Sequence, residues 1–247
     1  MHSKNWFTQG GGAYARFRPT YPVELSAFLA SKAPDTKLAV DAGCGSGQLT
    51  AQLGEHFDQV IGLDPSADQL ANAAPHPRVR YECATAEKLP VQNGTVSLVT
   101  AAQAAHWFDL PAFFHEARRV AAPGAVVALV TYGALELEPQ VNAVFRYFYR
   151  EVIGRFWPAE RALVDSGYAG MEFPFTEFPA PAISITRKWS LPELLGYVST
   201  WSAARSAVEA GREDLLARFA EDMGKVWGDF TIKRSVIWPV ALRIGRT

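Results

Sequence analysis

The chain is poor in cysteine and has no metal-ligand spacing. Two of its 247 residues are cysteine, Cys44 and Cys83, and they form neither a C-x-x-C pair nor a cluster with histidines. The sequence therefore predicts no disulfide framework and no metal site. Two unpaired thiols of this kind are typical of a reduced, cytoplasmic protein.

Charge of one sign and long apolar runs are scarce as well. The net charge is −1, and the basic pairs Arg118-Arg119 and Lys233-Arg234 are expected on solvated faces, so nucleic acid is not an expected partner. No stretch approaches the roughly 18 apolar residues of a membrane span. The first residues lack the apolar core of a signal peptide, and we expect no membrane partner.

Apolar residues, in contrast, are abundant. They make up 49% of the chain, enough for a large core in one domain of α/β size. Short apolar strands alternate with helices in the first half, which predicts a parallel sheet with right-handed crossovers. The strands are predicted at 38–40, 60–63, 79–83, 96–100 and 125–130, and the helices at 22–31, 48–57, 65–74 and 111–120.

The second half changes character and is predicted to be mainly helical and rich in aromatic residues. A run of β-type residues near the carboxyl end contains Pro239, which favours an edge or near-edge strand. The predicted helices cover 140–170, 192–205 and 212–227, and the predicted strands cover 183–186 and 235–244.

A glycine-rich turn follows the first predicted strand. Residues 38–48 are LAVDAGCGSGQ, in which Asp41 precedes glycines at every second position: Gly43, Gly45 and Gly47. Glycine accepts positive φ and lets backbone approach a ligand closely. A strand that leads through such a turn into a helix directs backbone N–H groups and the positive end of the helix toward a bound group. The pattern predicts a nucleotide-cofactor corner of a doubly wound sheet.

The glycine spacing disfavours a dinucleotide as that cofactor. Neither reading frame completes G-x-G-x-x-G, because Gln48 or Thr50 stands at the third position. The second strand ends at Asp64, 23 residues after Asp41, close to the distance of about 20 residues at which an acid meets a ribose. A carboxylate there can accept both ribose hydroxyls.

Four segments together carry a family resemblance. DAGCGSG, the acid in GLDPS, the loop ATAEKLP and the strand after it resemble class I S-adenosylmethionine (SAM)-dependent methyltransferases. The segments AAQAAHWFD and YARFRPTYP are similar to the methyltransferase type 11 group, which includes trans-aconitate methyltransferase-like enzymes. The likeness extends loosely through LLGYVSTWSA to the end of the chain.

The resemblance implies an α/β fold with a doubly wound, mostly parallel seven-stranded sheet, the Rossmann-like methyltransferase fold. An antiparallel closing strand and a helical cap complete it. We expect one SAM-methyltransferase domain over 1–247. Its parts are an N-terminal lid and helix at 1–34, a cofactor-binding core at 35–133, cap and substrate-side helices at 134–230, and the closing strand at 231–247.

The resemblance also implies SAM as the cofactor, with S-adenosyl-L-homocysteine as its product, and assigns residues to it. The glycine loop would line the methionine part, Asp64 the ribose, and the loop at 85–87 the adenine. Thr85 stands where the family often has aspartate. For Asp41 two roles are open: it orients the loop or the cofactor amino group, or it caps backbone donors of its own loop. The cofactor-binding set is Asp41, Gly43, Cys44, Gly45, Gly47, Asp64, Pro65, Thr85, Ala86, Glu87 and Gln103.

His106 follows the fourth predicted strand, where the methyl group would be presented. It is the candidate for a base or an acceptor contact, since histidine titrates near neutral pH; the alternative is a packed histidine beside Trp107. Candidate walls of the acceptor pocket are aromatic or basic residues that could equally belong to the core. They are Tyr14, Arg18, Tyr21, Trp107, Trp157 and Trp201.

Three functions compete at this point. The first is a SAM-dependent methyltransferase (EC 2.1.1.-) acting on a small molecule, with a carboxylate or a hydroxyl oxygen as the candidate acceptor atom, as a monomer or homodimer. AQAA stands where nucleic-acid and protein amino-methylating relatives carry N/D-P-P-Y, which argues against those substrates. The second is a SAM-binding protein without turnover, acting as a sensor or partner subunit. The third is a nucleotide-sugar or NAD-dependent oxidoreductase on the same sheet, which the missing third glycine and the absence of a Tyr-x-x-x-Lys pair disfavour.

Overall fold

The computed structural model describes residues 19–247. The candidate residues Tyr14 and Arg18, with most of the predicted N-terminal lid, lie outside the described residues. The chain divides into two compact units. The sheet unit comprises Thr20–Gly133, Leu163–Ile183 and Pro239–Thr247, and the described part of the helical unit comprises Ala134–Ala162 and Ser184–Trp238.

The sheet has its strands in the order β3-β2-β1-β4-β5-β8-β6, and β7 pairs with β8. β1 to β5 run parallel, whereas β8 is antiparallel to β5 and β6 is antiparallel to β8. The predicted doubly wound, mostly parallel sheet with an antiparallel closing strand is thereby confirmed, with eight strands in place of seven. They are β1 Leu38–Ala42, β2 Gln59–Asp64, β3 Val79–Cys83, β4 Val96–Ala102, β5 Ala121–Tyr132, β6 Thr176–Glu177, β7 Ile183–Trp189 and β8 Arg234–Arg246.

Helices follow most of the parallel strands, as the alternating pattern predicts. α4 begins where the Asp109 side chain accepts a hydrogen bond from the Ala112 N–H, and Pro111 occupies its first turn, a position that needs no N–H donor. The described α-helices are α1 Val23–Lys32, α2 Gln48–Gly54, α3 Ala67–Ala71, α4 Leu110–Val120, α5 Pro139–Tyr147, α6 Arg161–Asp165, α7 Leu191–Ser199, α8 Ser202–Glu209 and α9 Glu213–Trp227.

Strand β1 lies at the point where the strand order reverses. It pairs with β2 on one side, with Asp41 opposite Gly62, and with β4 on the other, with Asp41 opposite Thr100. Ala39, Val40 and Ala42 are fully buried, as expected for a central strand covered on both faces. In open α/β sheets, ligands bind at the carboxyl ends of strands at such a reversal.

The sequence predicts helix throughout 140–170, but the structure breaks this stretch into shorter pieces. α5 ends at Tyr147, and a π-helical turn, Phe148–Val152, and a 3-10 turn, Gly154–Phe156, follow it. Pro158 then keeps Trp157 extended, since the residue before a proline avoids the α region. The predicted helix at 192–205 is likewise two helices, because the backbone of Trp201 is extended and separates α7 from α8.

Aromatic packing fills the helical unit. The Trp201 ring lies 5.3 Å from Trp157, 5.6 Å from Tyr149 and 5.6 Å from Tyr197. The indole N–H of Trp238 donates to the Tyr197 hydroxyl at 3.2 Å. Within residues 19–247, no helix is both long and apolar enough to cross a bilayer.

Candidate active site

The glycine loop leaves the carboxyl end of β1 in a left-handed backbone. Gly43, Gly45 and Gly47 have φ of 66°, 54° and 75°, values that side-chain-bearing residues rarely adopt. A Cβ on Gly43 would lie 2.5 Å from the Ala104 Cβ, and one on Gly47 would lie 2.1 Å from the Tyr81 hydroxyl oxygen. Both glycines are therefore needed for close packing beneath the loop.

Gly45 faces a different surrounding. A Cβ there would have only the Gln69 Oε1 within 4 Å, at 3.9 Å. The loop therefore offers an open side at Gly45, where a ligand can meet bare backbone. Gly47 immediately precedes α2, so this end of the loop adjoins the first N–H groups of that helix.

Asp64 lies beside the loop at the end of β2. Its Oδ2 accepts a hydrogen bond from the Gly45 N–H at 2.9 Å, and its Oδ1 accepts one from the Ser66 N–H at 2.9 Å. The side chain is half-buried, and each carboxylate oxygen has a second lone pair for a further donor. Pro65, next in the chain, is exposed.

Asp41 lies beneath the loop and is buried. Its Oδ2 accepts from the Thr50 hydroxyl at 2.6 Å, and its Oδ1 accepts from the Thr100 hydroxyl at 2.7 Å. Burial raises the pKa of Asp41 to about 6, against the opposing effect of the two hydroxyls. The carboxylate thus joins β1 to α2 and β4, a bracing contact that neither of its two predicted roles included.

Cys44 is held within the loop by its backbone. Its N–H donates to the Leu63 carbonyl at 2.9 Å, and its thiol lies 3.7 Å from the Gly45 carbonyl. Burial and the nearby Asp41 and Asp64 charges raise the pKa of the Cys44 thiol well above its usual range. The thiol is therefore protonated at neutral pH and a poor nucleophile.

The loop after β3 is held by a network that starts on α4. Arg119 donates two hydrogen bonds to the Glu116 carboxylate and others to the carbonyls of Leu89 and Val91. Glu116 in turn accepts from the Leu89 N–H at 2.9 Å. The prediction of Arg119 on a solvated face is wrong, because Arg119 is half-buried and its guanidinium is bonded to Glu116 and to the loop.

The residues predicted to flank adenine differ in their surroundings. Thr85 is exposed and Ala86 is buried. The Glu87 Oε1 accepts a hydrogen bond from the Asp109 N–H at 3.0 Å, at the beginning of α4. This contact ties the loop to the end of the segment that follows β4.

Gln103 follows β4 directly and has a positive φ of 53°. Its Nε2 donates to the Tyr132 carbonyl at 2.8 Å, and its Oε1 accepts from the Thr131 hydroxyl at 2.7 Å. Both ends of its amide therefore join the ends of β4 and β5. Its predicted contact with the cofactor stays a prediction.

His106 and Trp107 lie in a short 3-10 turn, Ala105–Trp107. The two rings are 4.8 Å apart, and both residues are half-buried. The His106 Nδ1 lies 3.0 Å from the hydroxyl of Tyr168, a fully buried residue 62 positions later in the chain. The sequence carries no local signal for this tyrosine, because it has neither a motif nor a periodic neighbour.

The remaining acceptor-wall candidates occupy packed positions. Tyr21 is buried against Tyr132, with ring centroids 6.0 Å apart, and its carbonyl accepts from the Gln52 side chain. Trp201 is 4% exposed and lies within the aromatic packing of the helical unit. This position agrees with the alternative that Trp201 is a core residue. Across residues 19–247, no group of three or more histidine, cysteine or acidic side chains could hold a metal ion.

The chain is similar to known methyltransferases in both sequence and fold. The family described as a methyltransferase domain matches residues 40–129. A solved structure assigned as a type II methyltransferase from Anaeromyxobacter dehalogenans superposes with a TM-score of 0.88 and 43% identity, covering 93% of this chain and 98% of its own. The sheet of β1 to β8 is therefore that of a Rossmann-like methyltransferase.

Sequence relatives agree. A protein assigned as a methyltransferase from Dictyostelium discoideum is 35% identical over 219 residues, 87% of this chain and 83% of the relative. A malonyl-[acyl-carrier protein] O-methyltransferase from Pectobacterium atrosepticum is 31% identical over 155 residues, 62% of this chain and 61% of the relative. The chain belongs to the class I SAM-dependent methyltransferases, and SAM is its cofactor.

The residues present fit that cofactor. The open side of Gly45, the adjoining start of α2 and the carboxylate of Asp64 lie together at the carboxyl ends of β1 and β2. Backbone donors suit a carboxylate, and a side-chain carboxylate suits hydroxyl donors. The likeness to the trans-aconitate methyltransferase-like enzymes stays a prediction.

Proposed function

We propose that this protein transfers a methyl group from SAM to an oxygen atom of a small-molecule acceptor, either a carboxylate or a hydroxyl. The observation that carries the proposal is the arrangement around Gly45, where a bare, left-handed backbone and the Asp64 carboxylate are joined by a hydrogen bond of 2.9 Å. His106 and Trp107 follow the neighbouring strand β4 at the same carboxyl edge of the sheet.

Each part of this site has a separate task in the proposal. Asp64 holds the ribose hydroxyls, the loop of Gly43, Gly45 and Gly47 holds the methionine part, and the backbone of Ala86 borders the adenine. When bound, SAM supplies an activated methyl group. The protein needs mainly to align the acceptor with it, since proximity and orientation account for much of the rate of such a reaction.

The acceptor chemistry decides what His106 does. A carboxylate acceptor has no proton to lose at neutral pH, so His106 would only contact it. A hydroxyl acceptor keeps its proton, and His106 would then serve as the base. The relative named as a malonyl-[acyl-carrier protein] O-methyltransferase supports oxygen as the acceptor atom.

The test is formation of S-adenosyl-L-homocysteine from SAM in the presence of single acceptors, beginning with small carboxylic acids and continuing with small alcohols and phenols. We expect product with at least one acceptor and none without it. Asp64→Ala should weaken SAM binding at least tenfold, the effect of losing charge-assisted hydrogen bonds. Asp68→Ala, which removes an exposed carboxylate on α3, is the matched control and should bind SAM normally.

The second candidate function is SAM binding without turnover. The exposed Thr85 favours this second function, because Thr85 stands where the family often has an aspartate beside the adenine. Tight SAM binding with no product from any acceptor would support this function. Unchanged SAM affinity in Asp64→Ala would contradict the site assignment under both functions.

A further inference from the structure

Two residues in the sheet unit have a backbone conformation that their side chains disfavour. Within residues 19–247, Gln103 and Tyr168 are the non-glycine residues with positive φ, at 53° and 64°. Such conformations cost free energy and persist where the surrounding structure enforces them, often at functional sites. Gln103 begins the segment from Gln103 to Trp107 that follows β4, and Tyr168 contacts His106 within that segment.

The backbone of Tyr168 is held from both sides. Its N–H donates to the Leu163 carbonyl at 2.8 Å, and its carbonyl accepts from Nη1 of Arg243 on β8 at 3.0 Å. Arg243 is itself paired with Glu177 on the adjoining strand β6. The preceding residue, Gly167, is also left-handed with φ of 62°, and a Cβ on it would lie 2.8 Å from the Ala241 Cβ.

This backbone places an aromatic hydroxyl on the imidazole of His106. The Tyr168 ring is fully buried, its hydroxyl lies 3.0 Å from His106 Nδ1, and the two rings are 6.2 Å apart. Because a phenol is a stronger hydrogen-bond donor than acceptor, this contact favours the His106 tautomer in which Nδ1 accepts and Nε2 carries the proton.

We propose that Tyr168 is a positioning residue for His106: its buried hydroxyl fixes the orientation and the tautomer of the imidazole that follows β4. Gln103 anchors the start of the same segment by joining the ends of β4 and β5. The inference rests on the proposed function in one respect, namely that His106 faces the acceptor.

The test reads the imidazole directly and needs no acceptor. Nitrogen chemical shifts of the ring are measured by NMR in the full-length protein with 15N-labelled histidine, and the His106→Gln spectrum identifies the His106 signals among the five histidines. We expect His106 in the unsubstituted protein to be held in one predominant tautomer. Tyr168→Phe should change its tautomer ratio by about fivefold, the effect of one ordinary hydrogen bond.

Tyr197→Phe is the matched control. Tyr197 is also buried, and its hydroxyl accepts a hydrogen bond from Trp238 in the helical unit. Its loss should leave the His106 signals unchanged while costing similar stability. SAM titration checks that Tyr168→Phe retains its cofactor site, and we expect its SAM affinity to stay within about twofold of the unsubstituted value.

Two results would overturn the proposal. One is an unchanged tautomer ratio in Tyr168→Phe; the other, which needs no variant to fold, is a solvent-like mixture of both tautomers in the unsubstituted protein. Absence of turnover with every acceptor would count against the proposed function alone, since the NMR measurement does not depend on it. With an acceptor in hand, Tyr168→Phe should lower kcat more than it changes KM for SAM.

Discussion

At the scale of single residues, the site depends on a buried carboxylate and on glycines with little space around them. Asp41 is covered by the loop it supports, and its charge is balanced by two hydroxyl dipoles in place of a cation. Such a carboxylate is costly to ionise. The glycine loop above it tolerates no side chain at Gly43 or Gly47.

The raised pKa of Asp41 predicts a particular pH dependence of stability. Burial raises this pKa to about 6 from its ordinary value of 3.8. Between these values the native state therefore binds more protons than the unfolded state, and the free energy of unfolding falls as pH rises through this range. The decrease is on the order of 3 kcal/mol. Asp41→Asn should abolish it, as measured by urea unfolding from pH 4 to pH 8.

Asp58→Asn is the control for the Asp41 prediction, because Asp58 is an exposed aspartate just before β2. The free energy of unfolding of Asp58→Asn should fall with rising pH as much as that of the unsubstituted protein. If the profiles of Asp41→Asn and the unsubstituted protein ran parallel over the whole range, Asp41 would not be the group responsible.

A second residue-scale prediction separates steric contact from backbone strain. Gly47 and Gly124 have nearly the same φ, 75° and 74°, but a Cβ on Gly124 would have no atom within 4 Å, whereas one on Gly47 would overlap Tyr81. Gly124→Ala should cost about 1–2 kcal/mol of stability. Gly47→Ala should cost clearly more and weaken SAM binding, as measured by thermal unfolding and calorimetric titration. Equal costs would show that Tyr81 moves aside freely.

At the scale of elements, the loop after β3 owes its conformation to α4. The Arg119 guanidinium reaches two loop carbonyls and the Asn93 side chain while it pairs with Glu116. A planar, bidentate group is needed for this set of contacts, and lysine cannot reproduce it. The alternating pattern of strands and helices predicts α4 but not this contact.

Arg119→Lys should therefore loosen the loop at residues 86–91. We expect faster amide hydrogen exchange there and a loss of about 1–2 kcal/mol of stability. Arg218→Lys on α9, where the arginine is exposed, is the control and should change neither quantity. Unaltered exchange in the loop would mean that its own turn structure suffices to hold it.

At the scale of the whole molecule, cofactor binding links the site to stability. A ligand that binds only the native state raises the free energy of unfolding by about 2.7 kcal/mol at one hundred times its Kd. SAM at that excess should therefore raise Tm by about 5–10 °C, whereas NAD at the same concentration should leave it unchanged. Thermal unfolding monitored by tryptophan fluorescence measures both, and stabilisation by NAD would revive the oxidoreductase alternative.

The sequence by itself determined most of the sheet and the place of the glycine loop. β1 to β5, the closing strand and the glycine loop follow from local signals: apolar runs, alternating helices and residues at which only glycine accepts the backbone. The position of Asp64 at the end of β2, beside that loop, could be predicted because its distance along the chain from Asp41 reflects one strand-helix-strand unit.

Only the tertiary structure decided the contacts between distant segments. Tyr168 contacts His106, 62 residues away in the sequence, and Arg119 contacts Leu89, 30 residues away. No periodic pattern in the sequence predicts such pairs. The breaks at Phe148–Val152 and Trp201 likewise have no marker in the local sequence. The local backbone conformation depends on neighbouring residues, whereas the partner of a buried polar group depends on which distant segments the fold brings together.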